Sequence, residues 1–342
     1  MVVHGGEREK KGGRRCARTD VFIQESDKLT SATLNAPQGI VADEPVFKAC
    51  FHPNRDVVAY GTLGGKVCMY RYFLRRENLK LLELKLHTKS CRDMMFSENG
   101  SAIYSCSADK SIVGVDVETR KSVFDMKKAH KYSISALRLH ENMLMTGDDN
   151  GVIKIWDVRK LGKVKQIAGN EDYISEFAIH QDYHTAVVAS GDQTFSVIDL
   201  RKGVLADRSE YFDEDLLCAK IVHHGKNVVL GGQIGDLLMC PWGNWKDTVT
   251  YPMYSESLDC MVKLDESTVI TGAEDGSYQV IRIAPTPRVV YVGVGSRYTM
   301  GITSLSLCRK GKYLALCTDV TVHIFNVSHF ANEVDAEAAS SD

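Results

Sequence analysis

Much that would point to a membrane, secreted or nucleic-acid-coating protein is missing from this 342-residue chain. No apolar run is long enough to span a membrane, and the opening Met1-Val2-Val3-His4-Gly5-Gly6 is not a signal peptide. Neither sign of charge dominates. A net charge of −2 and a pI near 6.6 give no global electrostatic footprint for nucleic acid. Ten cysteines are scattered, with no Cys-x-x-Cys pair and no clustered ligand spacing. Most fall at strand-like positions (Cys50, Cys68, Cys240, Cys260, Cys308), where a reduced thiol packs as a small hydrophobe. That usage predicts a reducing, intracellular compartment.

What is present is repetition. One unit reads as a buried strand, a short turn, a second strand, a Gly/Asp-rich turn, and a third strand ending near Asp. Its clearest copy runs from Ile134-Ser135-Ala136-Leu137 through Thr146-Gly147-Asp148-Asp149-Asn150-Gly151 to Val152-Ile153-Lys154-Ile155-Trp156-Asp157. Taking Asp157 as the register mark, equivalent positions fall at Arg71, Asp116, Asp199, Trp242, Arg282 and Asn326, spaced 40 to 45 residues apart. The units alternate apolar and polar residues at period two, as strands with one face on a neighbouring sheet do. Turns such as Asp149-Asn150-Gly151 and Asp275-Gly276 carry residues that tolerate positive φ. A single sheet cannot bury both faces, so the units must stack, and radial stacking leaves few open edges. The period therefore predicts an all-β, seven-bladed WD-repeat β-propeller. The last unit has three strands, so the ring is expected to close through an N-terminal strand near Val21–Gln24 or Ser31–Leu34.

The propeller is assigned to residues 21–328, between a basic, disordered 1–20 segment and a short acidic one at 329–342. The first carries Lys10-Lys11-Gly12-Gly13-Arg14-Arg15; the second holds Glu333, Asp335, Glu337 and Asp342. The basic run suits nuclear import or RNA contact, or simply a solvated tail.

Catalytic motifs do not assemble. Gly61-Thr62-Leu63-Gly64-Gly65-Lys66 has too few residues between its glycines for a phosphate loop and leads into a strand, so it reads as a hairpin. Gly293-Val294-Gly295 reads as a loop between blades. His223-His224 lies at a turn without ligand partners, and no Gly-x-Ser-x-Gly elbow occurs. The expectation is a chain without catalysis, cofactor or metal. His130, Thr146 and Trp156 are expected to form a structural hydrogen-bond chain, with Asn150 where the turn Asp of such a repeat usually sits. Blade two offers His87, Ser105 and Asp109, with Val115 in place of Trp.

Binding is expected on the face formed by the loops between blades. Lys89, Arg92, Lys131 and Tyr132 would make one side basic, and Asp172, Tyr173 and Asp215 the other acidic, with Tyr298 before the last blade. A bipolar face suits a protein or peptide better than a phosphate backbone and leaves direct RNA contact open. Trp242 and Trp245 either anchor a partner or cover the outer edge of their blade. The chain is expected to be monomeric.

Several segments go beyond the general repeat. Lys128-Ala129-His130, Trp156-Asp157-Val158-Arg159-Lys160, Glu171-Asp172-Tyr173-Ile174 and Glu256-Ser257-Leu258-Asp259-Cys260-Met261-Val262 resemble the WD repeat-containing protein 55 family over roughly residues 35–328. The resemblance implies a non-catalytic nuclear or nucleolar scaffold acting in ribosomal RNA processing and large-subunit assembly, on pre-ribosomal particles. One departure is the short acidic end in place of the Lys-rich extension common in that family; a cytoplasmic location stays open. A second likeness lies in Asp157-Val158-Arg159 and Asp199-Leu200-Arg201, at the same point of consecutive blades. This resembles the paired box by which substrate receptors dock on the adaptor of cullin-4 ubiquitin ligases, with Arg159 and Arg201 reaching the adaptor.

Overall fold

The computed structural model describes residues 14–15, 35–160, 162–180, 184–254, 256–295 and 300–330. Seven sheets, each with four antiparallel strands of the ring, follow one another as blades. Blade 3 shows the pattern: Ile134–His140 innermost, then Met143–Asp148, Val152–Asp157 and Gly162–Ala168 outermost. Burial explains the sequence of each strand. Second strands such as Val57-Val58-Ala59-Tyr60-Gly61-Thr62 are buried throughout because blades pack on both their faces. Fourth strands such as Val204–Arg208 lie mostly exposed, and charged residues there blunt the outer edge. Between blades run continuous apolar layers; Tyr104, Phe124, Ile134, Leu137 and Trp156 fill the one joining blades 2 and 3.

Ring closure departs from the expected segments. The fourth strand of the last blade is Ile40–Val41, paired antiparallel as Ile40 with Val322 and Val41 with Thr321. Ile40 and Ala42 then enter the same apolar cluster as Val46, Tyr60 and Ile324. Val21–Gln24 and Ser31–Leu34 lie outside the described residues. Proximity decides the matter, since Ile40 stands six residues before the first strand of blade 1, at Val46. A further two-residue strand, Arg14–Arg15, runs parallel along the outer edge of blade 5 beside Val249–Thr250.

Two readings shift in detail. In blade 5 the register mark is Pro241, not Trp242, because Asn227 pairs with Pro241 as Met143 pairs with Asp157. Gly293 and Val294 belong to the fourth strand of blade 6 rather than to a loop. Gly293 pairs with Tyr278, and a Cβ there would lie 2.4 Å from the Tyr278 ring, so glycine admits the aromatic.

One device recurs in all seven blades. Each first strand shifts register against its neighbour between its first and third residues, as at Val46/Lys48, Cys91/Asp93 and Ile174/Glu176. Such a bulge re-aims the third side chain.

Candidate interaction faces

The connections between blades and the turns between second and third strands form one face, here the entry face. The other turns form the exit face. On the entry face Lys89, Lys131 and Tyr132 are exposed, with the Lys131 ammonium 5.3 Å from the Tyr132 ring centre. Arg92 is engaged: its guanidinium donates to Asp149 Oδ1 at 2.6 Å across to blade 3. The basic side is therefore partly neutralised. Opposite it, Asp172 is exposed, and its carboxylate accepts the Tyr173 backbone N–H at 2.7 Å. Tyr173 lies over Gly191, and burial first, then Asp215, push its hydroxyl up to about 12. Tyr173, from the blade 3–4 connection, thus meets Asp215 from the blade 4–5 connection. Tyr298 lies outside the described residues.

The acidic side extends further than the sequence reading placed it. Asp259, Glu274 and Asp319 line a cavity of about 690 Å³ with Val46, Phe47 and Met300 between blades 5, 6, 7 and 1. Burial, and then Glu274 and Asp275, raise the Asp259 carboxyl despite a bond from Ser257. In the sequence Asp259 lies inside the Glu256–Val262 run, whose signal is family likeness rather than charge.

Charges also line the central channel, which sequence reasoning did not find. Lys48 reaches Asp93 at 3.3 Å, and Glu176 pairs with Lys220, each joining adjacent blades. The signal was available: Lys48, Asp93 and Glu176 each stand third in the first strand of their blade.

The stability chain in blade 3 differs in one member. Trp156 Nε1–H donates to Thr146 Oγ1 at 2.9 Å, and His130 lies 2.8 Å from Thr146 Oγ1 and 2.9 Å from Asp148 Oδ2. Asp148, not Asn150, completes it. Two residues nearer the strand, Asp148 lies in the sheet and its other oxygen accepts the N–H groups of Asn150 and Val152 at 3.0 Å. In blade 2 His87 contacts Ser105 at 2.8 Å and reaches Asp109 by way of Ser111, at 2.7 Å from its Nδ1. Trp242 and Trp245 are also structural. Trp245 donates to Asp207 of blade 4 at 2.7 Å and stands edge-on to Phe195, while Trp242 packs on His180. They fasten blade 5 to blade 4.

The paired Asp-x-Arg segments sit at third-to-fourth strand turns of blades 3 and 4, on the exit face, but are not alike. Arg159 folds back onto Asp157 through two bonds of 3.0 and 2.9 Å, which hold that carboxyl down at about 2. Asp199 caps its turn as Asp157 does, accepting the N–H groups of Arg201 and Lys202 at 2.9 Å, but its carboxylate pairs with Lys202 at 3.7 Å rather than with Arg201.

His223 Nδ1 lies 2.9 Å from Asn227 Oδ1 within its own turn. Among the described residues no group of three His, Cys, Asp or Glu side chains stands close enough to hold a metal ion. No helix there is long and apolar enough to cross a membrane.

Comparison with known proteins agrees with this geometry. The WDR55 family model matches residues 37–330, from just before the closing strand to just past the last blade. WD repeat-containing protein 55 of Arabidopsis thaliana is 32% identical over 301 residues, covering 85% of this chain and 84% of its own length. The Homo sapiens protein of that name is 33% identical, covering 85% and 77%, and the Dictyostelium discoideum homologue 30%, covering 87% and 72%. A WD-repeat propeller of this kind is a scaffold for protein–protein contact, and the chain belongs to the WD repeat-containing protein 55 family.

Proposed function

We propose that this protein is a non-catalytic scaffold in ribosomal RNA processing and large-subunit assembly, working in the nucleus and chiefly the nucleolus. The observation that carries the reading is the family match over the whole ring, residues 37–330. The geometry supports it in kind. The buried His, Ser/Thr and Asp groups of blades 2 and 3 bond to one another and to strand backbone, which is the work of fold stabilisation. Side chains without such duties collect on the two faces, where a partner can meet them.

The test is affinity purification of the tagged chain, with its partners identified by mass spectrometry at low and high salt. Recovery of large-subunit precursor particles is the expected result. A preparation carrying no ribosomal precursor at either salt would sink the reading. A second reading, adaptor docking for a cullin-4 ligase, rests on Asp157, Arg159, Asp199 and Arg201 standing at equivalent turns of adjacent blades. Recovery of that adaptor, lost in the Arg159→Ala, Arg201→Ala double variant, would favour it over the first.

A further inference from the structure

The exit face carries a groove of about 700 Å³ across the seam where the last blade meets the first. Three turns build it: the first-to-second turns of blades 7 and 1, and the third-to-fourth turn of blade 1. Cations crowd it. Arg55, Arg309, Lys310 and Lys312 all line it, and all of them are exposed. Arg55 is tied to Glu118 at 2.8 Å, but Arg309 is held at 2.9 Å by the neutral amide of Asn54 and so keeps its charge. Among the described residues no carboxylate pairs with Arg309, Lys310 or Lys312, in a chain whose net charge is −2.

Aromatic rings lie among these cations. Tyr313 is half-buried in the groove wall, with the Lys312 ammonium 5.1 Å from its ring centre. Phe73 stands on the opposite turn under the Arg76 guanidinium, 3.6 Å from the ring centre. A cationic groove with interleaved rings is what single-stranded nucleic acid uses: phosphates meet the charges and bases stack on the rings. An acidic peptide would use the charges but not the rings. The Asp56 carboxylate in the groove lining repels the anionic groups of either ligand, but it can also accept hydrogen bonds from the amino groups of bases.

We infer that this groove binds a single-stranded RNA segment, with Arg309, Lys310 and Lys312 on its phosphates and Tyr313 and Phe73 beside its bases. The choice of RNA rests on the assembly reading above; the groove's chemistry does not depend on it.

The full chain is titrated against a fluorescein-labelled single-stranded RNA of about 12 nucleotides, read by anisotropy from about 50 to about 200 mM salt. Wild type should bind with a steep salt dependence. The Arg309→Ala, Lys310→Ala, Lys312→Ala variant should lose about tenfold or more in affinity, and its log–log salt slope should fall by about 2. Lys226→Ala with Lys246→Ala, on exposed turns of blade 5 outside the groove, should bind as wild type does. The substituted residues all lie outside the strands, so near-unchanged melting will show that the variants fold. Equal RNA affinity in the groove variant overturns the inference, as does a poly-glutamate peptide that binds wild type more tightly than RNA does. Sedimentation with large-subunit precursors separates this from the assembly reading. Wild type that binds RNA through the groove but never sediments with precursors sinks only the assembly reading. Wild type that sediments with them while the groove variant still binds RNA sinks only the groove.

Discussion

Lys48 and Asp93 face each other at 3.3 Å across the seam between blades 1 and 2, at the same third position of two first strands. Asp93 also accepts the Leu137 N–H of blade 3 at 2.8 Å, so one carboxylate ties three blades together. Glu176 repeats the arrangement, bonding Lys220 and the Ala219 N–H of the next blade. The Asp93 charge, chiefly, raises the Lys48 ammonium against the opposing effect of burial.

Removing Asp93 strands a cation and an N–H at once. Asp93→Ala should cost about 2–4 kcal/mol, whereas Lys48→Met should cost about 1 or less, because the Asp93 carboxylate keeps the Leu137 and Met94 N–H groups as donors. Denaturant midpoints of both single variants and the double check this. Equal losses in the two singles would show that the ion pair, rather than the Leu137 bond, carries the effect.

The second strands predict a steric rule. Gly61, Gly147, Gly231 and Gly272 occupy one position in blades 1, 3, 5 and 6, each against the first residue of the following blade. A Cβ at Gly147 would stand 2.4 Å from Ile174 Cβ. Cys106, Ala189 and Cys317, also small, take the place in the other blades. Gly147→Val should therefore destabilise by about 1–3 kcal/mol through overpacking of the blade seam. Gly162→Ala, where the added Cβ meets nothing nearer than 3.6 Å, should change stability by about 0.5 kcal/mol or less. A Gly147→Val melting curve matching wild type would refute the rule.

The ring was legible because its signal repeats: strand alternation and Gly/Asp turns appear seven times, so an error in one copy is outvoted. Single-copy features were less readable. The closing strand at Ile40–Val41 is only two residues long and has no repeat to set its register. The Asp148 bond was misplaced to Asn150 because Asp148, Asp149 and Asn150 all offer a side-chain oxygen near the turn, and geometry chooses. The acidic cavity at Asp259 and the exit-face groove join turns of different blades, a juxtaposition no linear spacing records.

Buried histidines give the fold a pH dependence. Burial lowers the pKa of His87, outweighing the pull of Asp109, and burial likewise lowers those of His52 and His323. The unfolded chain then binds more protons than the native one as pH falls below the free imidazole value of about 6.5. Stability should be full above that pH and decline toward pH 5. A second decline should follow below about pH 4, where Asp109, held at about 2 by Ser111 and Thr88 against burial, must be protonated in the unfolded chain but not the native one. Urea midpoints at about pH 7.5 and 5.5 measure the first step. His87→Gln should be less stable at both and should shrink the difference between them; an unchanged difference would assign the step to the other histidines.

Closure supplies the last prediction. Ile40 and Val41 contribute the outermost strand of blade 7, and Ala42 and Val46 N–H groups bond to Val320 and Asp319 at 2.7 Å. Deleting residues 1–34 leaves all of these contacts in place. Deleting residues 1–43 removes the strand, uncovers Thr321–Asn326 along its hydrogen-bonding edge, and exposes apolar surface beside Val322 and Ile324. A ring held shut by that strand should lose several degrees of melting temperature, with a ring of this size shifting by about 2–4 °C per kcal/mol. The newly open edge should also associate with other copies, read as larger species by light scattering. If the two deletions melt together and both stay monodisperse, contacts between the first strands of blades 7 and 1 close the ring unaided, and the short outer strand is dispensable.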